Sequence, residues 1–151
     1  MTPKIIGSFL LGLIFVLLLD FLLFIGIKIN YIDIYHIKVY YNILFVDNQS
    51  YLMLVIFSAI FGYLISGKKT FKIFAYIYIF FILISLLSFY GPIGKKLGKM
   101  MFEKDNLVFK VGNTTFKGDL LYRGRALTYI YRKDINKIVK LKTPLTTYAS
   151  P

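Results

Sequence analysis

The amino-acid sequence predicts a membrane α-helical protein with about three transmembrane helices and a small C-terminal antiparallel β domain. Residues with apolar side chains make up 58% of the 151 positions, whereas soluble chains carry about 45–50% and could not enclose this excess at such a length. Long apolar runs lie in the first 90 residues. The remaining residues alternate with a period of two and are interrupted by Gly-Asn and Gly-Asp turns, which is typical of short antiparallel strands.

The transmembrane region comprises residues 1–90, with spans predicted at about 5–27, 51–66 and 71–90. The first run reaches ~34 Å as a helix, and it exceeds the 7–15 residues of a signal-peptide core, so we expect it to be retained. The second run reaches only ~24 Å, which is short for a crossing. A turn at residues 67–70 makes the second and third spans an antiparallel helical hairpin.

Three further segments follow the spans. Residues 91–104 are interpreted as a basic juxtamembrane linker, because Gly91-Pro92 cannot continue the third helix. Residues 105–142 are predicted to form the β-rich domain, and residues 143–151 an irregular tail. About 40 residues make a marginal domain, so the sheet is expected to lean on a partner, on a second copy or on the membrane surface.

The charge distribution bears on topology. The residues from Gly91 onward carry 10 Lys and 3 Arg against 4 acids. With three spans, the segment 28–50 and this basic tail share one side of the membrane. Lys68 and Lys69 in the short loop favour the other side as cytoplasmic, so the N-terminus is predicted inside and the tail outside. The expected location is the bacterial inner membrane or an organellar inner membrane, as a multi-pass protein.

Asp20 is the one acid within the first predicted span. A carboxylate in the bilayer is costly unless it is paired or protonated, so such a residue indicates a functional site. Three interpretations stay open: an ion pair with another subunit, an ion or proton relay, and a purely structural acid.

Small residues recur at four-residue spacing in the first two spans. They lie on one face of each helix and are predicted to allow close helix packing. These candidate packing residues are Ser8, Gly12, Ser58, Gly62 and Ser66.

The cations directly after the third span are candidates for contact with acidic lipid headgroups or with a partner. Lys95, Lys96 and Lys99 lie where lipid is close, and cations near an anionic surface are attracted to it. Nucleic acid is not expected as a partner, because a basic sheet face in a membrane-tethered chain is better explained as a solvated surface.

Neither catalysis nor metal binding is indicated by the sequence. The chain has no Cys and a single His, so the common metal and nucleophile patterns are missing, and we expect no metal, no cofactor and no enzymatic activity. The tail acids have no legible catalytic spacing; they are Glu103, Asp105, Asp119 and Asp134.

The leading functional hypothesis is therefore a non-catalytic accessory or assembly subunit of a larger membrane protein complex, in contact with other membrane subunits through its basic β domain. One alternative is an ion-conducting or ion-coupled component that uses Asp20. Another is a membrane tether for a soluble partner or acidic lipid. A homo-oligomer is compatible with each of these.

Overall fold

A computed structural model describes residues 3–111, 114–143 and 146–148. Within them the chain forms apolar helices first and an antiparallel sheet last. The helices are α1 (Pro3–Ile27), α2 (Tyr41–Asp47), α3 (Tyr51–Ser66), α4 (Thr70–Leu87) and α5 (Gly91–Phe102). The strands are β1 (Lys104–Val111), β2 (Thr114–Arg123), β3 (Leu127–Arg132), β4 (Lys137–Lys142) and β5 (Thr146–Tyr148).

Helix α1 does not stop at its last α-helical residue. It continues without a break through a π-helical turn, Lys28–Ile32, in which the Asp33 amide donates to the Lys28 carbonyl at 2.9 Å. The combined helix of 30 residues is about 45 Å long. This length exceeds the ~30 Å hydrocarbon thickness of a bilayer, so the end of the helix reaches past the apolar bundle.

Two helices are long and apolar enough to cross a membrane: α1 with its π-helical turn, and α4. Helix α3 has 16 residues and reaches only about 24 Å. It qualifies as a third candidate only together with α2, and the two are bent by 84°. The described residues therefore contain two to three candidate spans, and the middle one is the broken one.

The apolar bundle consists of α1, α3 and α4. Aromatic rings fill its centre, where Phe15 contacts the rings of Phe74 and Tyr78 edge-on at 5.1 and 4.9 Å between centroids. Phe61 of α3 meets Phe74 of α4 at 5.5 Å. Edge-to-face contacts of this kind add to the packing of the buried rings.

Residues 91–104, which the sequence analysis expected to be a linker, contain helix α5. Pro92 lies in its first turn, where a missing N–H costs nothing. Gly94 allows close approach to the end of α4 and Gly98 to the π-helical turn, since a Cβ on them would lie 2.1 Å from the Ser88 carbonyl oxygen and 2.3 Å from Cγ of Tyr31. Glycines are poor helix formers, and tertiary packing rather than intrinsic propensity therefore explains this helix.

The sheet confirms the predicted C-terminal antiparallel fold. Its strand order is β4-β3-β2-β1-β5. Strand β5 pairs with β1, with Val108 opposite Tyr148, so part of the tail predicted to be irregular is an edge strand. Short edge strands at chain ends carry little sequence signal, because pairing rather than composition holds them in place.

One apolar face of the sheet packs on the chain's own helices. The Tyr31 hydroxyl donates to the Leu121 carbonyl at 2.9 Å, and the Lys38 amide donates to the Tyr129 hydroxyl at 3.0 Å. The sheet thus packs against the chain's own helices, whereas support from a partner, a second copy or the membrane surface stays a prediction. The buried residues of this shared core are Phe24, Ile27, Tyr31, Ile32, Ile37, Leu44, Phe102, Leu121, Tyr122 and Tyr129.

Candidate functional site

The small residues of α1 and α3 meet one another inside the chain. A Cβ on Gly12 would lie 2.1 Å from the Ser58 carbonyl oxygen, and one on Gly62 would lie 2.5 Å from the Ser8 carbonyl oxygen. The Ser66 hydroxyl donates to the hydroxyl of Ser8. All five candidate packing residues therefore belong to a single α1–α3 contact. In this contact the small-residue face of each helix is covered by the other helix.

Asp20 lies on the face of α1 that looks toward α3 and α4. It lines an apolar crevice of about 180 Å³, in which its neighbours include Phe57, Phe81 and Ser85. The side chain is half-buried. Among the described residues, Asp20 forms no hydrogen bond and no ion pair. A carboxylate in apolar surroundings without a partner is rare, because neither form of the group is well solvated there.

A second crevice, of about 200 Å³, reaches Asp20 from the loop between α2 and α3. Its polar lining comes from three consecutive residues, Asn48, Gln49 and Ser50. The side-chain nitrogen of Gln49 is buried and has no hydrogen-bond partner among the described residues. Asp20 thus borders two largely apolar crevices that are both lined by α1 and α3, and the second has three polar residues at its α2–α3 end.

Gln49 could not be singled out from the sequence. It lies 29 positions from Asp20 in a polar loop, where Asn, Gln and Ser are ordinary. The proximity of Gln49 to Asp20 becomes apparent only when the start of α3 is placed beside the middle of α1. The antiparallel α1–α3 contact produces that placement.

The three juxtamembrane lysines lie on α5, and two of them make contacts within the chain. The Lys95 ammonium lies over the Tyr35 ring at 5.7 Å from its centroid. The Lys99 ammonium donates to Glu103 at 3.3 Å, and this hydrogen bond raises the pKa of Lys99. Lys96 is exposed. The basic face of α5 is thus partly neutralised by the residues beside it.

Two acids of the β domain, Asp119 and Asp134, make local contacts. Asp119 is 6% exposed; it accepts from the Asn106 amide at 2.8 Å and pairs with Lys133 at 3.0 Å. Asp134 pairs with Arg132, and this hydrogen bond lowers the pKa of Asp134. Across the residues that the structure describes, no three His, Cys, Asp or Glu side chains come together as a metal site would require.

No protein-family model matches the chain, and comparisons with curated proteins and with solved structures give no significant match.

Proposed function

We propose that the chain is a non-catalytic, membrane-spanning subunit of a larger membrane assembly, and that Asp20 binds a donor on a partner's transmembrane helix. The proposal rests on one observation above all: Asp20 has no partner among the described residues, although it lies between three apolar helices. A charged group held against apolar side chains without a hydrogen-bond partner carries a desolvation cost. A basic or hydrogen-bonding side chain supplied by another subunit would remove that cost.

Placement in a membrane is supported by the surfaces of the helices. Large apolar side chains on α1, α3 and α4 point outward, for example Ile14 at 59%, Phe80 at 60% and Leu52 at 70% exposure. Such extensive apolar exposure is incompatible with a monomer in water and is typical of contact with lipid. The lengths of α1 and α4 fit this placement.

The packing between Asp20 and the start of α1 favours assembly over ion conduction. Toward the start of α1, Val16 and Phe61 are 6% and 2% exposed and belong to a closed apolar cluster with Phe74 and Tyr78. Among the described residues, apolar and aromatic side chains therefore fill this part of the bundle. The crevice beside Phe57 and Phe81 instead offers apolar walls that suit a side chain from a helix of another subunit.

The test is recovery of the tagged, full-length chain in mild detergent, with the native mass of the complex and identification of its components. We expect a stoichiometric complex for the wild type and for Asp20→Asn, which keeps hydrogen-bonding capacity, and loss of the partner for Asp20→Leu. Leu18→Asn is the matched control, because Leu18 is on the same helix and is 45% exposed. It should leave the complex intact.

A second measurement separates loss of contact from loss of folding. Asp20→Leu removes an unpaired acid from an apolar crevice, so the isolated chain should keep or raise its melting temperature in detergent. A lower melting temperature together with an intact complex would show that Asp20 is a structural residue of this chain, and the proposal would be wrong.

One specific observation favours a second candidate, an ion-coupled component that uses Asp20. The crevice that Asp20 shares with Asn48, Gln49 and Ser50 places polar side chains on one side of the carboxyl group. In this case Asp20→Asn, which cannot exchange a proton, should abolish cation or proton flux in liposomes while the protein stays assembled. Unchanged flux in that variant would exclude the relay.

A further inference from the structure

A basic crevice lies where the sheet meets the segment that leads into α2. It has a volume of about 220 Å³ and is enclosed by residues 38–43 on one side and the β2–β3 hairpin on the other. Lys38 and Arg125 contribute the cations of its lining, and Tyr40, Ile43 and Leu127 contribute apolar surface. This crevice is separate from both crevices of Asp20.

Two more cations extend the positive charge along the sheet. Lys140 stands opposite Tyr129, and Lys142 stands opposite Leu127, in the register of β3 and β4. Directly opposed residues of an antiparallel pair project to the same face, so these lysines lie on the face that Tyr129 and Leu127 present to the crevice. The Lys140 ammonium is 5.7 Å from the centre of the Tyr129 ring.

One acid opposes these cations, and it is already engaged. Asp47 accepts from Nε of Arg125 at 2.8 Å and also from one terminal nitrogen of the same guanidinium. An arginine has five N–H donors, and this pairing leaves the other terminal nitrogen available. Asp47 therefore orients Arg125 at the rim and offsets part of its charge, while the other terminal nitrogen can still donate to a ligand.

The crevice lies where the β domain meets helix α2. Helix α2, which begins directly after it, is fastened to α1 by a hydrogen bond from the Tyr41 hydroxyl to the Phe21 carbonyl at 2.9 Å. Phe21 belongs to the apolar part of α1, one residue after Asp20. Tyr40 at the rim is 79% exposed, and exposed tyrosines at this level are characteristic of the headgroup region.

We propose that this crevice binds the phosphate of an anionic membrane lipid, with Lys38, Arg125 and Lys140 as its ligands and with the glycerol and acyl region against Tyr40 and Leu127. The combination of cations with exposed apolar side chains suits a ligand that is itself charged at one end and apolar at the other. The site rests on the membrane placement in the proposed function, but it does not depend on Asp20 or on a partner subunit.

The experiment is native mass spectrometry of the full-length protein in detergent, titrated with phosphatidylglycerol, with phosphatidylcholine and with inorganic phosphate. We expect one retained phosphatidylglycerol per chain, weaker retention of phosphatidylcholine, and no displacement of phosphatidylglycerol by equal concentrations of inorganic phosphate. Displacement by phosphate alone would mean that the apolar side of the crevice contributes nothing, and the assignment to a lipid would fail.

Two double variants with the same change in net charge locate the site. Lys38→Gln with Lys140→Gln should weaken phosphatidylglycerol binding roughly ten-fold or more, because Lys38 lines the crevice and Lys140 lies over the ring of Tyr129, which also lines it. Lys110→Gln with Lys117→Gln removes two exposed cations from β1 and β2 instead, and it should change binding less than two-fold. Equal weakening by both pairs would indicate diffuse attraction to charge and would overturn the proposal.

The result for this site is independent of the assembly test. A chain that binds phosphatidylglycerol through Lys38 but purifies without a partner would contradict the proposed function alone. A chain that holds its partner through Asp20 but shows no difference between the two double variants would contradict the lipid site alone.

Discussion

Asn30 and Tyr31, two neighbouring residues of the π-helical turn, connect the apolar helices to the sheet. The Asn30 amide donates to the carbonyl oxygens of Ser88 and Phe89 at 2.9 and 3.0 Å, and so satisfies acceptors that the end of α4 would otherwise leave unpaired. Tyr31 is fully buried and donates to the Leu121 carbonyl. Leu121 lies at an irregularity of the β2–β3 register, where the ladder does not pair it.

Tyr31→Phe should therefore destabilise the protein while preserving the packing of the ring. Removal of the hydroxyl leaves the Leu121 carbonyl buried without its donor, which costs about 1–3 kcal/mol. The measurement is the melting temperature in a fixed detergent. Tyr35→Phe is the matched control, because Tyr35 offers its ring to Tyr31 at 5.0 Å and to Lys95, and both contacts survive the change. Equal shifts for the two variants would contradict the role given to the Tyr31 hydroxyl.

At the scale of the elements, the α1–α3 contact depends on the absence of side chains at a few positions. Gly12 lies against the backbone of α3, whereas a Cβ on Gly7 of the same helix would meet nothing within 4 Å. Backbone atoms cannot move aside as a flexible side chain can, so the two glycines differ sharply in what they tolerate.

Gly12→Ala is expected to separate α1 from α3 and to destabilise the protein by about 1–3 kcal/mol, the usual cost of overpacking. Gly7→Ala makes the same chemical change in open space and should cause no loss, because alanine favours the helix. Thermal unfolding in detergent compares the two. A Gly12→Ala protein as stable as Gly7→Ala would show that the helices do not approach as closely as described.

The helices and strands also show how much of the fold could be predicted from the sequence. Unbroken apolar runs predicted α1 and α4, and alternation with Gly turns predicted the sheet, because both patterns are local. Helix α5 was missed, since Gly94 and Gly98 read as breakers when the neighbouring Tyr31 and Ser88 are unknown. Asp20 was identified from a single apolar run, which is local in the sequence. Gln49, which lines a crevice with Asp20, and the crevice of Lys38 and Arg125 become apparent only in the folded chain.

At the scale of the whole molecule, the sheet and the helices share one core. Phe102 of α5 meets Tyr122 of β2 edge-on at 5.4 Å, and Leu44 of α2 is fully buried in the same cluster. Removal of the helices would expose this whole face of the sheet to water. The sheet's other apolar cluster, around Phe109, Leu120 and Ile130, would then have to hold the domain alone, and domains of this size are marginal.

Residues 103–151 alone are therefore expected not to fold stably, in contrast to the intact chain. Dispersion of amide signals in an NMR spectrum, or near-ultraviolet circular dichroism, distinguishes the two states. A well-dispersed spectrum from the fragment would show that the shared core is dispensable, and the helices would then be an anchor rather than part of the domain.

Topology can be tested cleanly because the sequence contains no Cys. Lys68 and Lys137 are both exposed, one in the turn between α3 and α4 and the other in β4. With three crossings, single variants Lys68→Cys and Lys137→Cys should react with a membrane-impermeant thiol reagent from opposite sides, and Lys137→Cys should be the one labelled in intact cells. Labelling of both from one side would exclude three crossings.

The continuous passage of α1 into the π-helical turn has a mechanical consequence. Between Asp20 and Tyr31 the helix rises about 16 Å without a joint, so a tilt of about 10° at the level of Asp20 displaces Tyr31 by roughly 3 Å. Tyr31 is packed against Leu121 and Gly98, and packed interiors resist compression. Any tilt of α1 that an event beside Asp20 produces would therefore reach the sheet as a rigid-body displacement, with α1 as the lever arm.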